Sequence, residues 1–449
     1  MRNFKKIITD SPYVLLIFGF LSVILLGTFI LMTPFVTTSG NGTPFLTALF
    51  TATSATCVTG LVVVDTGTYF NELGHTVIML LIQIGGIGIM AFAVICIQLF
   101  RGKLSIKNKL SIQETYNSNG LGDATKIIKA IFLISLISEL VGAFFLSFAF
   151  IPEHGFSNGV FYSLFHSISA FNNAGFDLNG NFSSLTKYTG NFLVNITTII
   201  LILTGSLGFL AILDIFKKRS FKKLALTTKV VLSLNGILLV SGFILFFIFE
   251  YNNPQTIGEL NMFEKVLASL FLSVTPKTAG FNTINMSGLT IASGLLVILL
   301  MYIGASPTST GGGLKTTTVL IPILSIIALF KGKDDIEIFE RRIPKGLVGK
   351  ATALICVVFI ISVSSVMILS FTESADFMTI LFEVASAINT VGLSLGLTPA
   401  LSTIGRCIII VLMFIGRVGP LTLVMALSLK QKQKNECKIK YVEEKILIG

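Results

Sequence analysis

Charge is what this sequence lacks. Asp, Glu, Lys and Arg make up only 12% of 449 residues, where a soluble domain carries roughly a quarter. Hydrophobic residues make up 53% and the mean hydropathy is +0.87, so the solvent of this chain is mostly lipid. Metal and redox signatures are missing too. Cys57, Cys96, Cys356, Cys407 and Cys437 form no CxxC pair, which removes the zinc and dithiol readings. His75, His154 and His166 stand at no metal-ligand spacing. No G-x-x-x-x-G-K-[ST] loop is present, and "STGGGLK" lacks its spacing, so ATP hydrolysis by that route is excluded. Neither HExxH, nor a pair of carboxylates, nor a Ser-Lys dyad is evident, so no enzyme activity is expected.

What the sequence has instead is long apolar runs. A bilayer core of about 30 Å takes about 20 apolar residues in helix. Residues 13–33, 76–100, 191–213, 230–249 and 351–371 qualify without a charge. Residues 130–151 carry one, Glu139, and residues 408–429 carry one, Arg417. Residues 294–330 form a run too long for one simple span. The first run comes after "RNFKK" as in a signal peptide, but it is longer than such an h-region and no A-x-A site succeeds it, so it reads as a retained helix.

A net charge of +11 raises the question of nucleic acid, which its distribution answers in the negative. Of 33 Lys and Arg, 27 fall in residues 2–6, 101–129, 217–229, 331–350 and 430–445. Cytosolic loops are enriched in Lys and Arg. Both termini are therefore expected in the cytosol, which needs an even number of spans, and eight hydrophobic helices satisfy it.

Between the runs lie uncharged, hydroxyl-rich stretches that end alike: "TATSATCVTGL", "SISAFNNAGF", "SVTPKTAGF" and "ASAINTVGL". Their glycines, Gly60, Gly175, Gly280 and Gly392, are 115, 105 and 112 residues apart. The apolar stretches before them, residues 43–55 and 158–170 for example, are too short to span and suggest re-entrant segments. A second marker comes at a similar distance after each: Gly85 and Gly88, Gly205 and Gly208, and Gly416 and Gly419 share a G-x-x-G spacing, while the third copy reads "IGASP". Two markers in one order define an internal repeat. The expected fold is all-α and polytopic, with eight transmembrane helices in four helix–pore-loop–helix repeats around one central pore. The units are residues 1–110, 111–225, 226–345 and 346–430, with a cytosolic tail, 431–449.

Non-helical backbone at membrane depth is tolerated only inside protein or along water. Glycine can take φ > 0 without steric cost, which lets successive carbonyls point one way. Rings of carbonyls replace a cation's hydration shell, and each half-helix adds the negative end of its dipole. Close helix packing through small residues is the alternative for any one loop; it accounts poorly for four copies at near-equal spacing.

The residues "TCVTGL", "NNAGF", "KTAGF" and "NTVGL", with the broken helix "GASPTSTGGGLKTTT", resemble the superfamily of Trk, Ktr and plant HKT potassium transporters. Because the first repeat starts at once, the chain is most similar to the Ktr membrane subunit. The resemblance implies a selectivity filter that binds potassium at Thr59, Gly60, Asn173, Ala174, Gly175, Thr278, Ala279, Gly280, Thr390, Val391 and Gly392. Some HKT members carry serine at the first glycine and favour sodium, so Gly60 points to potassium. Lys277, a cation beside that filter, has to turn away from the axis. The resemblance also implies that residues 304–318 form an intramembrane gate, with Gly304, Gly311, Gly312, Gly313 and Lys315, and that Arg417 is a barrier beneath the filter. It further implies a homodimer on a ring of cytosolic nucleotide-binding regulatory subunits, in the plasma membrane. No cofactor is expected in the chain itself; potassium is the substrate and sodium a candidate activator.

The residues alone leave alternatives. Pro307 and the three glycines Gly311, Gly312 and Gly313 would break any helix, and a plain loop joining two half-helices fits them as well as a plug; unwound segments mark binding or gating sites in transporters. A central arginine costs about 2.5–3.5 kcal/mol to insert. Arg417 therefore faces a cavity or pairs with an acid, Glu139 or Asp214. Lys315 can snorkel, pair or gate. Glu139 is a partner for a neighbour or a proton or sodium site. A sodium-selective or sodium-coupled carrier of the same fold is the competing function.

Overall fold

The computed structural model describes residues 12–88, 121–419 and 422. The basic segments at residues 2–6 and 430–445, most of 101–129, Cys96, Cys437 and the tail lie outside them.

The chain repeats one order of elements. A long helix leads to a shorter one, a loop with a glycine, and another shorter helix. The first set is α1 (Pro12–Leu31), α2 (Phe45–Cys57) and α3 (Glu72–Ile87); the second is α4 (Leu121–His154), α5 (Phe156–Phe171), α6 (Phe192–Leu207) and α7 (Phe209–Lys218). The third is α8 (Leu226–Glu250), α9 (Met262–Val274), α10 (Ile291–Ile303) and α11 (Thr316–Phe330), and the fourth is α12 (Lys345–Thr372), α13 (Phe377–Ile388) and α14 (Thr403–Val418). Among the described residues the four helices long and apolar enough to cross a membrane are the first of each set: Val14–Leu31, Ile127–His154, Leu226–Glu250 and Lys345–Thr372. Their lipid-facing sides carry residues such as Phe29, Phe144, Ile237 and Phe359, each more than half exposed.

The third helix of each set starts at a polar cap. Asn71, Asn191, Thr290 and Ser402 each accept a backbone N–H three residues on with their side chains, satisfying a donor that a helix start leaves open. It also stops early. The C-caps Gly88, Gly208 and Gly419 share one backbone conformation, with φ of 90°, 91° and 88° and ψ of 132°, 133° and 133°, and Gly304 ends the fourth such helix at φ 55°. Sixteen residues of helix are about 24 Å, short of the hydrocarbon thickness. The run 191–213 is thus not one straight span: it bends by 95° between α6 and α7. The runs 76–100 and 408–429 enter Gly88 and Gly419 in the same way, and most of residues 89–100 and 420–429 lies outside the described residues. The sequence marks a break only in the third set; among the described residues the corresponding helix ends at a glycine in all four, and in the second the chain also bends there.

Four hydrophobic cores lie between neighbouring sets. Phe50, Leu61, Val384 and Met413 join the fourth to the first; Leu31, Ile82, Phe165 and Phe176 the first to the second; Phe171, Ile202, Phe271 and Phe281 the second to the third; Phe246, Met301, Phe382 and Leu393 the third to the fourth. Accordingly α3 packs on α5, α6 on α9, α10 on α13, and α14 on α2, so the order closes on itself. Between α11 and α12 the basic stretch forms a small hairpin, β1 (Ile336–Ile338) with β2 (Arg341–Ile343). Phe339 and Glu340 at its tip have φ of 49° and 59°, as a tight two-residue hairpin turn requires.

Candidate ion pathway

Each short helix ends at a loop of the same shape. Gly60, Gly175, Gly280 and Gly392 have φ of 94°, 71°, 78° and 90°. Two residues earlier Val58, Asn173, Thr278 and Thr390 are also left-handed, with φ of 56°, 59°, 64° and 51°. The residue between them is tied back to the helix before it: Thr59 donates to Ser54 O, Ala174 to Ser169 O, Ala279 to Thr275 O and Val391 to Ser386 O, at 2.8–3.0 Å. Gly60 and Gly392 donate their N–H to the hydroxyls of Ser54 and Ser386 at 3.1 Å. The carbonyls of Thr59, Ala174, Ala279 and Val391 approach the neighbouring loops, across the space between them.

That space is shared by all four. A Cβ built on Gly60 would lie 2.4 Å from Ala174 O; on Gly175, 2.8 Å from Ala279 O; on Gly280, 2.8 Å from Val391 O; and on Gly392, 2.1 Å from Thr59 O. The contacts run once round the set and return to their start. All eleven residues singled out in the loops lie in this cluster, which also contains Val58, absent from the expectation. Beyond it opens a cavity of about 140 Å³, bordered by the four glycines and by Asp65, Asp177, Ser394 and Thr398, with no basic residue in its lining.

Lys277 turns away. Its ammonium donates to the carbonyl and side-chain oxygens of Asn235 on α8, both at 3.1 Å, and it is buried. Glu139 does likewise in the preceding set: its carboxylate accepts from Gln83 Nε2 at 2.9 and 3.1 Å and from Asn172 Nδ2 at 3.1 Å. Asn172 and Lys277 occupy the same place, three residues before their glycines, and each is held by a polar group of the preceding long helix.

Behind the loops lies the break between α10 and α11. Gly312 N–H donates to Thr390 Oγ1 at 3.0 Å and Thr310 Oγ1 donates to Phe171 O at 3.3 Å. Gly313 N–H donates to Gly416 O at 3.0 Å and Thr310 N–H to Gly205 O at 3.2 Å. A Cβ on Gly311 would lie 2.1 Å from Thr278 Oγ1 and one on Gly313 2.8 Å from Asn389 Cα; backbone can pass so near only because these residues have no side chain. Gly304 lets α10 end against Leu314 O. The Lys315 ammonium folds onto this segment and donates to Gly311 O at 2.6 Å. Arg417 donates to Thr310 O in the segment and to Gly85 O and Gly86 O at the end of α3. The acids offered as its partners are engaged elsewhere, Glu139 as above and Asp214 with Lys218 at 2.8 Å and the Ala225 N–H at 2.7 Å.

His75 binds Thr66 O, and His166 links Tyr162 O to the Leu178 N–H. No group of three His, Cys, Asp or Glu side chains suited to a metal occurs among the described residues. Two features escaped the sequence reading: the acids Asp65, Asp177 and Glu383 around the cavity, and the hydroxyls behind the loops. The second carried a signal, a serine six residues before three of the four glycines.

Long apolar helices around uncharged loops that meet one another in a closed cycle are those of a multi-pass membrane protein of the ion-transport class. The chain belongs to the TrkH family of cation transport proteins, whose family model matches residues 4–438. It is similar to the Ktr system potassium uptake protein B of Bacillus subtilis, 43% identical over 99% of this chain and 98% of that one. It is 41% identical to the potassium/sodium uptake protein NtpJ of Enterococcus hirae, over 98% of this chain and 97% of that one. The crystal structure of the potassium transporter TrkH from Vibrio parahaemolyticus superimposes with a TM-score of 0.72 at 19% identity, covering 93% of this chain and 85% of that chain, a likeness of fold.

Proposed function

We propose that the chain is a potassium uptake pore: four repeats and eight spans surround one pathway, in which the carbonyls beside Gly60, Gly175, Gly280 and Gly392 replace the water of a monovalent cation. The observation that carries this reading is the closed cycle of contacts, in which each glycine lies against the carbonyl of the next loop. Neutral dipoles hold a monovalent ion firmly enough to admit it and loosely enough to release it; carboxylates in the same place would favour divalents. The units 1–110, 111–225, 226–345 and 346–430 are the four repeats, and the filter residues are the eleven named above. The segment 304–318 is the gate. Arg417 latches it and Lys315 fastens its backbone, so in this conformation the segment lies across the pathway. The proposed assembly is a homodimer on a cytosolic nucleotide-binding ring, with both termini in the cytosol of a plasma-membrane protein. Full-length similarity to a Ktr system subunit supports it.

A second reading, sodium as a transported or coupled ion, is favoured by the name of one relative, the potassium/sodium uptake protein. Uptake of rubidium and of sodium into vesicles holding the purified protein separates the two. Rubidium flux that sodium does not displace supports potassium, and flux of sodium alone overturns it while leaving the fold untouched.

A further inference from the structure

The cavity outside the four glycines is unequal on its four sides. Glu383 lies on α13, nine residues before Gly392, and is fully buried. Its two carboxylate oxygens are each taken by a hydroxyl of the loop beyond the glycine. Ser394 Oγ donates to Oε2 at 2.7 Å and Thr398 Oγ1 to Oε1 at 2.5 Å. The corresponding places of the other sets hold Thr51, His166 and Phe271, so no other set has a carboxylate there.

A hydroxyl has one proton and two lone pairs. Those of Ser394 and Thr398 spend their protons on Glu383, behind the wall, while the same two residues line the cavity. What they can offer the cavity is lone pairs alone, on oxygens polarised by the carboxyl group that accepts their protons. Ser394 Oγ also accepts the Gly396 N–H at 3.1 Å, which fixes its position. Such a pair can receive a cation and cannot donate to an anion. A buried carboxylate is costly unless its oxygens are satisfied, and here they are satisfied in a way that commits both protons.

We propose that Ser394 and Thr398, oriented by Glu383, form a separate binding site for a partly hydrated monovalent cation in the outer cavity, the step at which the ion exchanges its first waters for protein oxygens. The inference rests on the pore reading, since it places this site in line with the glycine carbonyls. Ser394 and Thr398 touch the ion; Glu383 is a positioning residue.

The test is rubidium uptake into proteoliposomes by the parent, Glu383→Gln, Ser394→Ala and Thr398→Val. Glutamine has an amide N–H₂ where one carboxylate oxygen stood, so one hydroxyl must turn its proton into the cavity. The expected result is a rise in the half-saturating rubidium concentration of about tenfold for Glu383→Gln, the loss of roughly one charge-assisted contact. Thr398→Val is expected to shift it the same way by less, with maximal rate and rubidium-over-sodium preference largely kept. Should Glu383→Gln not fold, the smaller shift is read from Ser394→Ala and Thr398→Val. Unchanged half-saturation, or a fall in maximal rate alone, means that Glu383 merely braces the loop and overturns the proposal. A parent that carries no rubidium overturns the pore reading instead.

Discussion

At Gly60 the backbone has φ of +94° and a Cβ would lie 2.4 Å from Ala174 O. Any L-residue there must both strain its backbone, by about 1–2 kcal/mol, and push away a carbonyl assigned to the ion. Gly60→Ser is therefore expected to lose most of the preference for rubidium over sodium, measured as sodium competition against rubidium uptake; preference equal to the parent's would remove Gly60 from the filter. Glycine is legible because few other residues tolerate that conformation. Val58 was not legible for the converse reason: a β-branched residue at φ 56° and ψ 53° is strained by about 1–3 kcal/mol, and only its place two residues before the glycine hints at it. Asp177 lies two residues past Gly175, at the mouth of the cavity. Burial, with the negative charge of Asp65 acting in the same sense, lifts its carboxyl to about 7 against the pull of the Asn179 N–H. Below that pH it is neutral and above it charged, so cation attraction should weaken as the medium is acidified. The half-saturating rubidium concentration is expected to rise as pH falls from 8 to 6, about one unit on either side of the midpoint, and Asp177→Asn is expected to abolish that slope. A slope that survives the substitution means that Asp177 is not its source.

Among the elements, the broken helix between α10 and α11 meets the helix α14 through the Gly313 N–H to Gly416 O bond and through one side chain. Arg417 bonds carbonyls of the proposed gate segment and of α3, so it joins elements of three sets beneath the loops while adding a positive charge there. If it is the proposed latch and barrier, removing it has two effects of one sign, a freed segment and a lower electrostatic barrier. Arg417→Ala is expected to raise rubidium flux severalfold without changing ion preference; unchanged or lower flux would show that the arginine is needed only to keep the helices together. The break at Gly304 could be foreseen because Pro307 and three successive glycines oppose helix. The bend at Gly208 and the helix end at Gly419 could not. A G-x-x-G within an apolar run is equally a packing motif, and the bend at Gly208 lies against Pro307 O, 2.3 Å from where its Cβ would be, a contact made by a segment about a hundred residues away in the chain. Gln83, Glu139 and Asn172 likewise meet across 33 to 89 residues; nothing local in the sequence pairs them.

On the scale of the whole molecule, what closes the pathway into a ring is the apolar packing between sets, since each of the four cores draws on two neighbours. The recurrence of the glycines made that closure legible in advance, whereas the partners across each seam were not, because large apolar residues on eight faces are interchangeable in a pattern. The proposed ring, with one pathway through uncharged loops, has a thermodynamic consequence. An ion that passes alone can be driven only by its own gradient and by the membrane potential, about 2.3 kcal/mol per charge at 100 mV. That energy corresponds to an accumulation of about fiftyfold. Vesicles clamped at about 100 mV, inside negative, are thus expected to concentrate rubidium to about fiftyfold and no further, with or without a sodium gradient. Accumulation well beyond that limit, appearing only when sodium runs inward, would mean that a second ion moves with each potassium, and that the pathway is a coupled carrier built on the same ring of glycines.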